Sequence, residues 1–243
     1  MSTFVLIHGA WHGGWCWERV APLLRAAGHA VHTPTLTGLA ERADLLNSEV
    51  GLETHLADIA ALLAGADLRE AILVGHSYGG MLITGLAERM PARLGHLIYL
   101  DAVAPIGAER SVQELFQRHR PDTWRDLATD IATRGDGWRI PVPTGAPILG
   151  VTDPADLRWL RAHLTDHPAR TFTDRLAGDQ RPPRHLPTSF IRTPTAPGLP
   201  NGFSRDAERI RQAGGRYYEL AGGHDAMVTM PHELAALLMT IAG

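Results

Sequence analysis

The 243-residue sequence predicts an α/β fold in which a mostly parallel sheet is covered by helices on both faces. Short apolar runs rich in Val, Ile and Leu recur along the chain, and segments with helical spacing lie between them. The runs are apolar on both faces, as buried parallel strands are. In such sheets ligands sit at the carboxyl ends of the strands.

The strand-like runs are Thr3 to His8, Ala30 to Pro34, Ala71 to Gly75, Leu97 to Asp101, Thr188 to Ile191 and Arg216 to Leu220. The helical segments are Trp17 to Ala27, Glu53 to Ala64, Tyr78 to Arg89, Arg205 to Ala213 and Pro231 to Ile241. The alternation breaks between Ala104 and Pro187, where Trp124, Trp138 and Trp159 are scattered among Arg, Asp and Pro. We therefore expect one domain over residues 1–243 with a cap inserted at about 104–187, its tryptophans forming a small core of their own. The Pro-rich end of the insertion, GDQRPPRHLP, reads as a return linker.

Composition narrows the function. The sequence is 44% hydrophobic and 20% charged, and its net charge of -3 is spread without blocks. That balance argues against a nucleic-acid or membrane partner and fits a small, fairly neutral substrate. All 23 basic residues are Arg, which removes Schiff-base chemistry and the phosphate-binding lysine of a P-loop. Cys16 stands alone, so no internal disulfide forms and nothing points to an oxidising compartment. The apolar run Phe4 to Ile7 is too short for a signal or transmembrane segment, and a cytoplasmic location is expected. A homodimer is compatible with the sequence, which leaves oligomeric state open.

The chemistry begins at AILVGHSYGGMLITGLAERM, where an apolar strand runs directly into a helix. Ser77 falls at the junction with Gly75 and Gly79 two residues to either side, the G-x-S-x-G nucleophile elbow in its required context. The turn forces the serine hydroxyl above the sheet, and glycine leaves room where strand and helix cross. A phosphate-cradling turn is the other reading, but the segment matches neither GxxxxGK[ST] nor GxGxxG. The Tyr78 amide supplies half of an oxyanion hole. The loop His8-Gly9-Ala10-Trp11 after the first strand supplies the Ala10 amide as the other half.

A base must take the serine proton. Among the 13 histidines, His224 in the loop LAGGHDAM, between the last strand and the last helix, is best placed. His8 and His76 are expected to pack the two loops, while His12 and Trp11 are expected to line the pocket mouth and touch substrate. His29, His96 and His119 read as surface or packing residues. A metal site at His8 and His12 is disfavoured, because an i, i+4 pair serves zinc on a helix and this stretch is a Gly-rich loop. No metal or organic cofactor is required.

The segments FVLIHGAWHGGWCWERVAPLL, GHSYGG, YLDAVAP and ELAGGHDAM together resemble the α/β-hydrolase branch containing plant methylesterases and hydroxynitrile lyases, with their bacterial esterase relatives. The insertion resembles nothing specific. The resemblance implies an α/β-hydrolase fold with Ser77 as nucleophile, His224 as base, and Ala10 and Tyr78 amides as oxyanion hole. The lyases of this branch carry Thr where Gly9 stands and Lys where Asp225 stands. Both marks are missing, and Asp225 would repel a departing anion, so ester hydrolysis is expected.

One part of the family pattern fails. Its third triad member is an Asp in the loop that follows TSFIR, where this chain reads RTPTAPGLPNGF with no carboxylate between Arg192 and Ser204. Losing that acid in a Ser-His-Asp enzyme costs about four orders of magnitude. The leading replacement is Asp101, at the end of the strand after the nucleophile helix, although a brace for the insertion is its other reading. Asp206 reads as a helix-start residue and Asp225 as pointing away from the His224 ring. Alternatives stay open: a cyclase, lyase or acyltransferase on a specialised metabolite, favoured by the missing acid, or a ligand-binding protein that has lost turnover.

Overall fold

The computed structural model describes residues 1–107, 109–144, 149–178, 186–194 and 203–243. The chain begins in the middle of its sheet. Strand β1 (Thr3–Ile7) is followed by helix α1 (Ala21–Ala26), β2 (Ala30–His32), α2 (Leu52–Gly65), β3 (Ala71–His76), α3 (Gly79–Arg89) and β4 (Leu94–Leu100). After the insertion come β7 (Thr188–Arg192), α8 (Ser204–Gln212), β8 (Arg216–Glu219), α9 (Ala226–Thr229) and α10 (Pro231–Ala242). The insertion itself carries α4 (Val112–His119), α5 (Pro121–Arg134), α6 (Pro154–His163), the short α7 (Arg170–Thr173), and the antiparallel pair β5 (Arg139–Ile140) and β6 (His167–Pro168).

The six strands of the main sheet run in the order β2-β1-β3-β4-β7-β8, and each pairing is parallel. The chain goes outward from β1 to β2, crosses back to β3, and then builds outward to β8. The reversal lies between β1 and β3, so the loops after these two strands open a crevice at their carboxyl ends. Both motif loops stand there.

Alternation along the strands splits the core in two. Phe4 and Leu6 of β1, with Ile72 and Val74 of β3, pack on α1 and α10, while Val5, Ile7 and Leu73 face α2 and α3. Helix α3 is buried from Gly79 to Ala87, and truncating one of its large side chains, such as Leu82, costs about 2–5 kcal/mol. Its start is tight: a Cβ at Gly80 would lie 1.9 Å from the Val103 carbonyl oxygen. The glycines of GHSYGG are thus set by packing as much as by the turn.

The expected helix Trp17 to Ala27 is split in the structure. Gly14–Trp17 forms a 3-10 turn and α1 starts only at Ala21, because Pro22, with its fixed φ and missing N–H, belongs to a first helical turn. The insertion contains more regular structure than its composition suggests, since Ser111 caps α4 through the Glu114 amide (3.1 Å) and Asp153 caps α6. Trp159 packs on a small cluster of the insertion, Val151, Leu160 and Leu164, and also on the main body, where its ring meets Trp15 edge-on at 5.1 Å. Most of GDQRPPRHLP and of the loop after β7 lies outside the described residues. No helix among the described residues is long and apolar enough to cross a membrane.

Candidate active site

Ser77 follows β3 directly with φ of +53°, a left-handed conformation that is costly for a residue with a side chain. The surroundings hold it there: its N–H donates to the Leu100 carbonyl (3.2 Å), and its own carbonyl accepts from Gly80 (3.2 Å) and Val103 (3.0 Å). Gly9 faces it from the β1 loop, where a Cβ would come within 2.9 Å of Ser77 Cβ and of His76 Nδ1. A threonine at this position, as in the lyases, would have no room.

His224 lies in the loop between β8 and α9, and its Nδ1 is 2.7 Å from Asp101 Oδ2. A carboxylate only accepts, so Nδ1 carries the proton and Nε2 is left as the basic nitrogen. Both residues are buried. Asp101 ends β4 in a left-handed turn (φ +41°), fixed by its N–H donating to Ile191 (2.7 Å), while its Oδ1 accepts from the Thr193 amide (3.4 Å). These contacts tie the carboxylate to the end of β7. Ala10 and Tyr78 flank the same edge, and among the described residues neither backbone amide donates to a protein acceptor.

The remaining histidines separate by their partners. Leu36 donates to His8 Nε2 (3.1 Å), so His8 Nδ1–H donates to the Gly9 carbonyl (2.8 Å); burial pushes its pKa down to about 3, and the ring is neutral. His76 Nε2–H donates to the His224 carbonyl (3.1 Å), and burial holds it well below its ordinary range. His96 packs against Ser189, and His119 is held by Glu109 and Arg205.

His12, expected at the pocket mouth, is 1% exposed, with Nδ1 on the Ala10 carbonyl (2.7 Å) and Nε2 on Asp225 Oδ2 (3.1 Å). Trp11 is partly buried with φ of +66°, and its indole N–H donates to the Ile140 carbonyl (3.1 Å), which joins the loop after β1 to the insertion. Asp225, expected to point away from the His224 ring, bonds His12 through Oδ2, and a carboxylate oxygen lies within 4.8 Å of a His224 ring nitrogen. Its carboxylate is buried against His12 Nε2.

Potential ligand atoms of His76, His224 and Asp225 lie within 4.8 Å of one another. His224 Nδ1 and His76 Nε2 are already hydrogen-bonded within the protein, so the set reads as a buried network.

Several neighbours have no signal in the sequence. Phe203 stacks on the His224 ring (5.5 Å, 14°) and carries the Arg120 guanidinium 4.4 Å over its own ring. Asp206 does stand in the first turn of α8, but it is buried, accepts the Ala104 amide (2.9 Å), and is pushed up to about 6 by burial. From the insertion, His167 Nδ1 accepts the Trp11 amide (3.4 Å) and Nε2–H donates to Thr171 Oγ1 (2.8 Å). Apart from the His167–Thr171 bond, these contacts join residues far apart in the chain.

Comparison with known proteins agrees with the fold. A model of the alpha/beta hydrolase family matches residues 4–237. The chain belongs to the alpha/beta hydrolase family. Within it, a carbendazim hydrolyzing esterase of Nocardioides sp. (strain SG-4G) is 53% identical over 105 residues, a match that spans 43% of each chain. The probable esterase PIR7A of Oryza sativa is 30% identical over 256 residues, covering 98% of this chain and 96% of its own length. Among solved structures, an extracellular alpha/beta-hydrolase from a Paenibacillus species, described as homologous in structure and function to tobacco salicylic acid binding protein 2, superimposes with a TM-score of 0.85 at 25% identity over 99% of both chains. Kinship with esterases supports a carboxylic ester hydrolase acting on small molecules.

Proposed function

We propose that this alpha/beta hydrolase cleaves a carboxylic ester of a small organic molecule through an acyl-enzyme on Ser77. The supporting observation is the 2.7 Å bond between His224 Nδ1 and Asp101, at the sheet edge where Ser77 stands on its strained turn. Asp101 takes the role of the acid missing after β7. It holds the imidazole in one tautomer and stabilises the imidazolium that forms.

In the first half-reaction, Ser77 Oγ attacks the ester carbonyl as its proton passes to His224 Nε2. The Ala10 and Tyr78 amides receive the tetrahedral oxyanion, each such donor contributing about 3 kcal/mol. Collapse breaks the ester bond, and the alcohol leaves with the proton from His224. Water then attacks the acyl-enzyme with His224 again as base, releasing the acid and restoring Ser77. The segment at about 104–187 acts as a cap, supported by Trp11 contacts to Ile140 and His167 and by the Phe172 ring stacked on Tyr78 (5.7 Å). Cyclase, lyase or acyltransferase chemistry drew its support from the missing acid, and Asp101 beside His224 removes that support.

A short aryl ester such as a p-nitrophenyl ester tests the reading. Wild-type protein should release the phenol in repeated turnovers, and Ser77→Ala should fall to the uncatalysed rate. Turnover that survives Ser77→Ala would refute the role of Ser77.

A further inference from the structure

The loop after β1 and the loop carrying His224 belong to different ends of the chain, yet they are joined by a single buried pair. His12 is 1% exposed and Asp225 fully buried, and His12 Nε2 lies 3.1 Å from Asp225 Oδ2. The other ring nitrogen, Nδ1, lies 2.7 Å from the Ala10 carbonyl oxygen. A carboxylate and a carbonyl both only accept, so both ring nitrogens must donate, and the ring must be the doubly protonated imidazolium. Every other histidine whose two ring nitrogens are both engaged in that loop region has one acceptor role: His8 accepts from Leu36, and His167 accepts from Trp11. His12 is the exception.

We infer that His12 and Asp225 form a charged strut that sets the oxyanion loop against the loop of the general base and holds a fixed positive charge beside Ala10. The inference rests on the proposed ester hydrolysis. Three contacts give the strut its reach. His12 grips the carbonyl of Ala10, whose amide is the proposed oxyanion donor. Asp225 adjoins His224 in the chain, and its N–H donates to the Leu149 carbonyl (3.1 Å). Asp225 Oδ1 also lies 3.7 Å from His76 Nε2, the nitrogen that holds the His224 carbonyl. One carboxylate therefore faces the oxyanion loop, the residue before the nucleophile, and the base loop.

Stability alone is a poor reason for such a pair. Removing two charges from water costs several kcal/mol per ion, and a buried pair is often no more stable than apolar residues of the same volume. What the pair does provide is fixed geometry and a cation that is already oriented when charge develops on the substrate oxygen, the condition under which electrostatic stabilisation is most effective. Both members act through Ala10 and His224, so they are positioning residues.

The same pair has a pH signature. Burial alone would lower the His12 pKa, but the Asp225 charge and the hydrogen bonds to Asp225 and Ala10 outweigh it and raise the value above 6.5. Facing His12 besides Asp225 are the Trp15 ring (5.3 Å, stacked) and the neutral His76 (5.9 Å), with the neutral His8 and His167 near enough to interact electrostatically. A histidine with a raised folded pKa contributes stability that is complete below 6.5 and lost as pH rises through the folded value. Activity that depends on the strut is lost in the same direction.

The test compares Asp225→Asn and the double variant His12→Gln/Asp225→Asn with wild type, measuring kcat, KM and Tm with an aryl ester across neutral to alkaline pH. Asp225→Asn should lower kcat about tenfold or more, short of the roughly hundredfold cost of deleting an oxyanion donor, with little change in KM. The double variant restores a neutral hydrogen-bonded pair, so it should recover Tm but not kcat, and it should lose the alkaline fall in kcat. Wild-type kcat in the double variant would overturn the inference by reducing the pair to a structural contact. Should neither variant fold, histidine NMR of the wild-type protein decides: a His12 ring that remains an imidazolium well above pH 6.5 agrees, and one that is neutral at pH 6.5 contradicts. Absence of ester turnover in wild type would instead count against the proposed function, which separates the two failures.

Discussion

In the proposed mechanism, Asp101 is the residue on which the chemistry turns. The family resemblance implies an acid after the penultimate strand, and here the stretch from Arg192 to Ser204 holds no carboxylate. Asp101 reaches the same imidazole nitrogen from β4, and its left-handed backbone is pinned to β7 by the Ile191 carbonyl. Asp101→Asn should lower kcat for an aryl ester by about four orders of magnitude while leaving Tm within a few degrees, because an amide in place of the carboxylate favours the wrong tautomer. Near-normal turnover in this variant would remove Asp101 from the mechanism. The positions of Ser77, His224 and Asp101 at the carboxyl ends of strands, and the approach of Asp101 to His224, were legible because they follow from strand ends and chain order. His12 was expected at the pocket mouth and is instead buried between Ala10 and Asp225. Its partner, Asp225, lies at the other end of the chain, and no local pattern marks a pairing across 213 residues.

At the scale of elements, each functional loop stands at the carboxyl end of a strand, and the strands were legible from their apolar runs. The glycine spacing around Ser77 follows from close packing at the turn, where a Cβ at Gly75 would meet the Gly79 carbonyl and one at Gly79 the Ile7 carbonyl at the end of β1. Helix α8 shows what the pattern cannot reveal. Asp206 occupies its first turn, where acidic residues are common on electrostatic grounds, yet its side chain is turned inward to the Ala104 amide. Arg120, between α4 and α5, and Arg209 of α8 itself are the cations that act on it. Burial raises its pKa from 3.8 to about 6, so the folded protein binds a proton that the unfolded chain has lost. Stability should therefore fall as pH rises from 3.8 to about 6, and Asp206→Asn should flatten that part of a Tm-against-pH curve. An unchanged slope in the variant would show that Asp206 is not the titrating group.

At the scale of the molecule, a parallel sheet that reverses its winding between β1 and β3 brings the oxyanion loop and the nucleophile turn together, while β4 and β8 deliver Asp101 and His224 to the same edge. That arrangement was expected from alternating strands and helices. The insertion was legible only as an interruption, because its helices pack on the body through particular contacts, such as Trp159 on Trp15 and His167 on Trp11, that composition does not encode. The central claim is that this fold makes Ser77 an activated nucleophile with His224 and Asp101 behind it. Intact mass spectrometry after treatment with a fluorophosphonate tests it most directly. The account predicts one adduct per chain on Ser77, none on Ser77→Ala, and much slower labelling of Asp101→Asn; a wild-type protein that remains unlabelled, or is labelled at another residue, would contradict it.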